Sequence, residues 1–267
     1  MNENSLPRRS VLGTVAGSIT ALAGCTDSTQ PVDSESPFQD VAVEKSTVVV
    51  ILSSKNGIER VNLIDPTGER IGSSEVVNGE TRLEFDLGMS YTPGTFNIVG
   101  EPEGETSLDI RPDVEIQEVG VGVNHMDRMP DDLENTQDQE ALVVVENLGN
   151  GLLNLLALTF GGDVPNPTKN VQPDGSRSGI FDEKEGQGER EQVPLPGKES
   201  VTIFSSTLPF SFDAEGEECD SMPDEGEFSV RTYSSVKQEP YTTNFGIHYS
   251  STEDGGDCDI SIEDNRE

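Results

Sequence analysis

From residue 41 onward the chain is built of short apolar runs with a period of two, cut by polar turn residues about every 8–12 positions, the spacing of a sandwich. Leu83, Phe85 and Leu87 alternate with Arg82, Glu84 and Asp86, which gives a strand one dry face and one carboxylate-rich face. Residues 48–52, 58–64, 96–99 and 108–110 are the companion strands. Asn56-Gly57, Asp65-Pro66-Thr67-Gly68, Asn78-Gly79 and Pro93-Gly94 punctuate them as turns. With no long 3.6-residue period to compete, the pattern predicts an all-β chain whose first β-sandwich module spans 41–113.

A second module is expected over 114–267. Residues 143–150 (Val-Val-Val-Glu-Asn-Leu-Gly-Asn) read as a strand ending in an Asn-x-Gly turn, and 195–201 (Leu-Pro-Gly-Lys-Glu-Ser-Val) as a Pro-Gly turn entering the next strand. These residues resemble the immunoglobulin-like, cell-adhesion-related (CARDB-like) module of bacterial and archaeal surface proteins, and the resemblance implies an immunoglobulin-like β-sandwich with late strands at 228–233 and 241–249. Residues 152–158 fit a short helix or a buried strand equally well. The chain departs from the family in a polar insertion, 161–192, whose Gly, Asp, Glu and Pro content predicts a disordered loop.

The first forty residues have another grammar. Arg8 and Arg9, followed by Ser10, Val11 and Leu12, resemble a twin-arginine export motif. The weakly apolar stretch 11–23 has the ~7–15 residues of a signal h-region and falls short of the ~20 that span a bilayer. It ends in Leu22-Ala23-Gly24-Cys25, which resembles a lipobox. Together these resemblances imply a signal peptide over 1–24, membrane lipid attached through Cys25, and a mature protein on the outer, extracellular face of the cytoplasmic membrane. Residues 25–40, rich in Ser, Thr, Asp, Pro and Gln, then read as the lipidated Cys and a flexible tether; about fifteen coil residues reach ~20 Å.

Charge alters the picture in one respect. Asp and Glu number 51 against 17 Lys and Arg, a net charge of −34, with no basic stretch to meet phosphates. Nucleic acid is excluded as a partner. Such a charge opposes compaction in dilute buffer, whereas in molar salt the Debye length falls to ~3 Å and a carboxylate surface is tolerated. Acidic residues spread along the whole chain, with no Trp, resemble the proteins of haloarchaea and imply a halophilic lipoprotein.

Candidate chemistry is sparse. Cys219 and Cys258 are the cysteines left once Cys25 is lipidated, and in an oxidising exterior they predict a disulfide. With His125 and His248 they make a nominal zinc set, but no two of these residues have the close spacing such sites use. Blue copper would need His or Met close after Cys258, and neither follows. Asp213, Glu215, Glu217, Glu218, Asp220, Asp224, Glu225 and Glu227 crowd one loop without EF-hand spacing, so a solvated acidic loop is expected. No G-x-S-x-G elbow, P-loop or H-E-x-x-H motif occurs, which leaves His125 as the candidate for any catalytic triad. No metal or cofactor is expected.

The expected function is therefore that of a non-enzymatic binding module, held outside the membrane and facing a surface or membrane protein partner. The alternatives are an accessory or solute-capturing subunit of a transporter and a hydrolase of cell-surface polymer.

Overall fold

The computed structural model describes residues 36–77, 79–130, 136–169, 171, 178–181, 188–212, 218–251 and 258–264. The export motif, Cys25 and most of the tether lie outside these. The described residues form an almost wholly β structure of sixteen strands and two short 3₁₀ turns.

β1 (Phe38–Glu44), β2 (Thr47–Leu52) and β5 (Arg82–Asp86) make one sheet in the order β1-β2-β5. β3 (Arg60–Ile64), β4 (Arg70–Glu75), β6 (Gly94–Glu101) and β7 (Glu105–Ile110) make a second in the order β4-β3-β6-β7. All pairings are antiparallel, with Val48 opposite Phe85, Val50 opposite Leu83 and Leu63 opposite Ile98. These side chains, with Phe96 and Ile110, are buried in one hydrophobic cluster. On alternating strands such as β5 one row turns inward and the charges stay in water, while β2 and β3 bury three consecutive residues each.

β8 (Val114–Val121), β9 (Ala141–Asn147), β11 (Ile180–Phe181) and β13 (Ser200–Ser205) form a third sheet, ordered β11-β13-β9-β8. β10 (Leu153–Gly162), β12 (Val193–Leu195), β14 (Glu225–Ser234), β15 (Tyr241–Ser251) and β16 (Cys258–Asp264) form the fourth, ordered β12-β10-β14-β15-β16. Their cluster draws on residues from Val114 to Ile260. At its centre Phe210 stands edge-on to Phe160 and Phe228, with centroids 6.2 and 6.1 Å away, and Phe228 stacks on Phe245 at 5.6 Å. The ambiguous run at 152–158 is strand: β10 is buried on both faces, so it carries no period.

Two expectations need correction, and one strand carried no sequence signal. The first strand begins at Phe38, inside the stretch assigned to the tether; Phe38 is 1% exposed and belongs to the first core. One aromatic among polar neighbours is enough when the facing sheet offers a pocket. β4 was unmarked by any period because its residues are mostly exposed; it forms because β3 supplies a partner, with Ser73 Oγ donating to Asn62 Oδ1 at 2.9 Å. The insertion 161–192 is ordered in its described part. Val164, Ser178, Ile180 and Phe181 are buried there, and Ile180 and Phe181 pair with Ser205 and Phe204. Apolar residues so widely separated leave no pattern, yet each fills a place in the core. Residues 170, 172–177 and 182–187 of the insertion lie outside the described residues.

Candidate functional site

The most densely built polar feature is the joint between β7 and β8. The connection is Arg111-Pro112-Asp113, and the turn that follows β9 closes around it. Asn147 is fully buried. Its Oδ1 accepts from the amides of Asp113 (3.0 Å) and Gly149 (3.1 Å), and its Nδ2 donates to the carbonyls of Gly151 (2.7 Å) and Leu195 (3.3 Å). Asn150 works on the other side: Oδ1 accepts from Arg111 N at 3.0 Å, and Nδ2 donates to Asp109 O at 2.8 Å. The amides of Asn150 and Gly151 both donate to Arg111 O at 3.1 Å, and Leu148 N donates to Asp113 O at 2.6 Å. A buried amide side chain satisfied at both ends specifies a single arrangement of the backbone around it.

Two glycines make the approach possible. A Cβ on Gly149 would lie 2.2 Å from Arg111 O, and one on Gly151 would lie 2.1 Å from Tyr91 Oη. Tyr91 comes from the loop after β5, so a side chain packed on the first core abuts backbone of the turn after β9. Burial pushes its phenol up, and nearby Tyr241 adds to the rise.

The joint is flanked by two open depressions. One, of about 530 Å³, lies between the turn at 65–69 and the loop at 86–92 and carries Asp65, Glu69, Asp86 and Tyr91. Its aspartates are occupied in shaping turns. Asp65 Oδ1 accepts from the Thr67 hydroxyl (2.7 Å) and from the amides of Thr67 and Glu69 (both 2.9 Å). The Thr67 hydroxyl, helped by these amides, holds Asp65 below the usual carboxylate range. Asp86 Oδ1 accepts from Gly88 N at 2.8 Å. The other depression, about 1040 Å³, lies between β8 and β15, with Val114, Ile116, Glu115, Lys237, Tyr241 and Asn244 in its wall. Lys237 Nζ sits 4.8 Å from the Tyr241 ring centroid.

Arg8, Arg9 and Cys25 lie outside the described residues. Cys219 and Cys258 form the expected disulfide, with Cα atoms 5.5 Å apart. His125 ends a 3₁₀ turn, Gly122–His125, with its ring against Gly120. His248 lies on β15, and its Nε2 is 3.4 Å from Glu263 Oε2. Asp213, Glu215 and Glu217 fall outside the described residues; of the others in the acidic loop, Asp224, Glu225 and Glu227 are exposed to solvent. The Glu218 side chain caps the turn Cys219–Ser221, Asp220 Oδ1 accepts from Ser251 Oγ at 2.6 Å, and Glu225 and Glu227 lie in β14. Among the described residues, no group of three or more His, Cys, Asp or Glu is arranged to hold a metal ion.

Sequence reasoning passed over Glu140. It immediately precedes β9 and is only 3% exposed, with Oε1 accepting from Thr136 Oγ1 at 2.7 Å and Oε2 buried without a partner. In a chain with 51 acids, nothing local separates one buried carboxyl from its exposed neighbours.

No family model and no curated protein matches the chain. Similar solved structures include a glycosyl hydrolase family 2 member from Bacteroides cellulosilyticus DSM 14838, at 14% identity and a TM-score of 0.21, covering 76% of this chain and 24% of that one. Another is Escherichia coli alpha-2-macroglobulin activated by porcine elastase, at 14% identity and a TM-score of 0.19, covering 84% of this chain and 22% of that one. The chain thus spans about a quarter of the length of these structures.

Proposed function

We propose that this chain is a non-enzymatic lipoprotein, anchored through Cys25 outside the membrane, whose β bodies present their loops to a surface or membrane protein partner. The observation that carries the proposal is the joint: Asn147 and Asn150 close the turn after β9 around Arg111–Asp113, and Tyr91 abuts Gly151. A braced pair of sandwiches suits presentation of loops to a partner, because recognition on sandwiches is built from loops held by a stiff scaffold. Further support comes from the sequence order of Arg8-Arg9, a short apolar run and Cys25.

The test is cellular. In molar salt the native protein partitions with membranes and into detergent, and Cys25→Ser releases it into the medium. Equal partitioning of both forms would remove the anchor from the proposal. Cross-linking on intact cells then yields a stoichiometric surface partner; recovery of the lone protein from cells at native abundance would sink the partner.

A further inference from the structure

Just after β8, Gly122 and Val123 pair with the turn that leads into β9. Gly122 N donates to Glu140 O at 2.8 Å and Val123 N to Asp138 O at 3.1 Å, while the amides of Gln139 and Glu140 donate to Thr136 O at 3.0 and 3.2 Å. Glu140 stands at the root of this pairing, next in sequence to β9. Close by in the chain, Leu142 packs with Met129, Phe181 and Phe204 in a small apolar cluster. With Oε1 bonded to Thr136 and Oε2 buried without a partner, an ionised carboxylate at this place would hold charge on an oxygen that neither water nor protein solvates. A neutral acid carries no such penalty.

The surrounding charged groups are placed elsewhere. Asp138, on the same turn, opposes ionisation. On β8, Glu118 is held by both Arg128 guanidinium nitrogens at 2.6 and 3.1 Å. In the layer of β11 and β13, Glu189 Oε1 accepts from Ser206 Oγ (2.6 Å) and Gly179 N (3.2 Å), and Arg190 N donates to Ile180 O. His125 ends the 3₁₀ turn with its ring against Gly120.

We propose that Glu140, kept as the neutral acid, is a pH-sensitive latch that pins the 136–140 turn to Gly122 and Val123, and that its ionisation loosens that pairing. Burial pushes the carboxyl up to about 7, with the Thr136 hydrogen bond pulling the other way and Asp138 adding to the rise. In the opened state the group returns to its ordinary 4.5. The closed state therefore binds the proton more tightly. Its advantage is complete below pH 4.5, falls about tenfold per pH unit across 4.5–7, and levels above 7, having lost roughly 300-fold.

Amide hydrogen exchange on the whole protein in molar salt tests this. Protection of the Gly122, Val123, Gln139 and Glu140 amides, corrected for intrinsic exchange, falls roughly 300-fold between pH 4.5 and 7 and then stays level. Glu140→Gln flattens the profile, and His125→Asn leaves it unchanged. A profile that survives Glu140→Gln, disappears with His125→Asn, or is flat in the native protein overturns the proposal. Should Glu140→Gln fail to fold, the carbon-13 titration of the native Glu140 carboxyl decides: a midpoint near 7 supports the latch, and one near 4.5 overturns it.

Discussion

At Gly151 a methyl group has nowhere to go, since its carbon would lie 2.1 Å from Tyr91 Oη; at Gly149 it would meet backbone, Arg111 O at 2.2 Å and Asp113 N at 2.5 Å. The two glycines therefore differ in what can yield. Gly151→Ala is expected to cost about 1–3 kcal/mol in chemical denaturation, as overpacking does. Tyr91→Phe alone is near neutral, because the hydroxyl it removes is buried without a partner. In the Tyr91→Phe background most of the Gly151→Ala penalty disappears, a coupling that a double-mutant cycle measures directly. Gly149→Ala gains nothing from Tyr91→Phe, and strictly additive values at Gly151 would mean that Tyr91 does not bear on the turn. The Asn-x-Gly pattern was legible in the sequence as a turn. Its role in clasping a linker 34 residues upstream was not, because the partners of Asn147 are distant in the chain.

At the scale of elements, β16 is the strand held by a covalent tie. Cys258 opens it and pairs with Ser251 across the β15–β16 ladder, while Cys219 begins the short turn before β14. Closing a loop with a sequence separation of 39 is worth roughly 4 kcal/mol in the chain-entropy model. The Cys219→Ser, Cys258→Ser double variant is expected to lose stability of that order. Its earliest loss of exchange protection comes at the ladder from Phe245–Asp264 to Ser251–Cys258; unfolding that begins in β2 or β6 instead would place the weak point in the other cluster. Alternating strands such as β5 were readable because one face is dry. β4, β11 and β12 were not: the first is mostly exposed, and the others are three residues or shorter and exist as strands only through β13 and β10.

For the molecule as a whole, the ion pairs among described residues are solvent-facing, such as Arg82 with Glu44 and Glu84, where all three side chains are 45% exposed or more. Pairs of this kind contribute about 0–1 kcal/mol and leave a net charge of −34 almost unanswered. Stability is accordingly expected to rise steeply with salt. Lowering potassium chloride from about 3 M to 0.1 M restores repulsion over a Debye length of ~10 Å and reduces both the unfolding temperature and the strand signal in circular dichroism. An unchanged spectrum in dilute buffer would show that packing alone withstands the charge. The sequence by itself determined the all-β class, the cysteine pair available to a disulfide and the acidic surface, because alternation, residue count and charge are local or additive properties. Only the tertiary structure decided that Phe38 belongs to the core, that Asn147 and Asn150 brace the joint, and that one glutamate of many is buried. Each of those depends on which distant backbone comes to lie beside the residue, and that is a property of the assembled sheets.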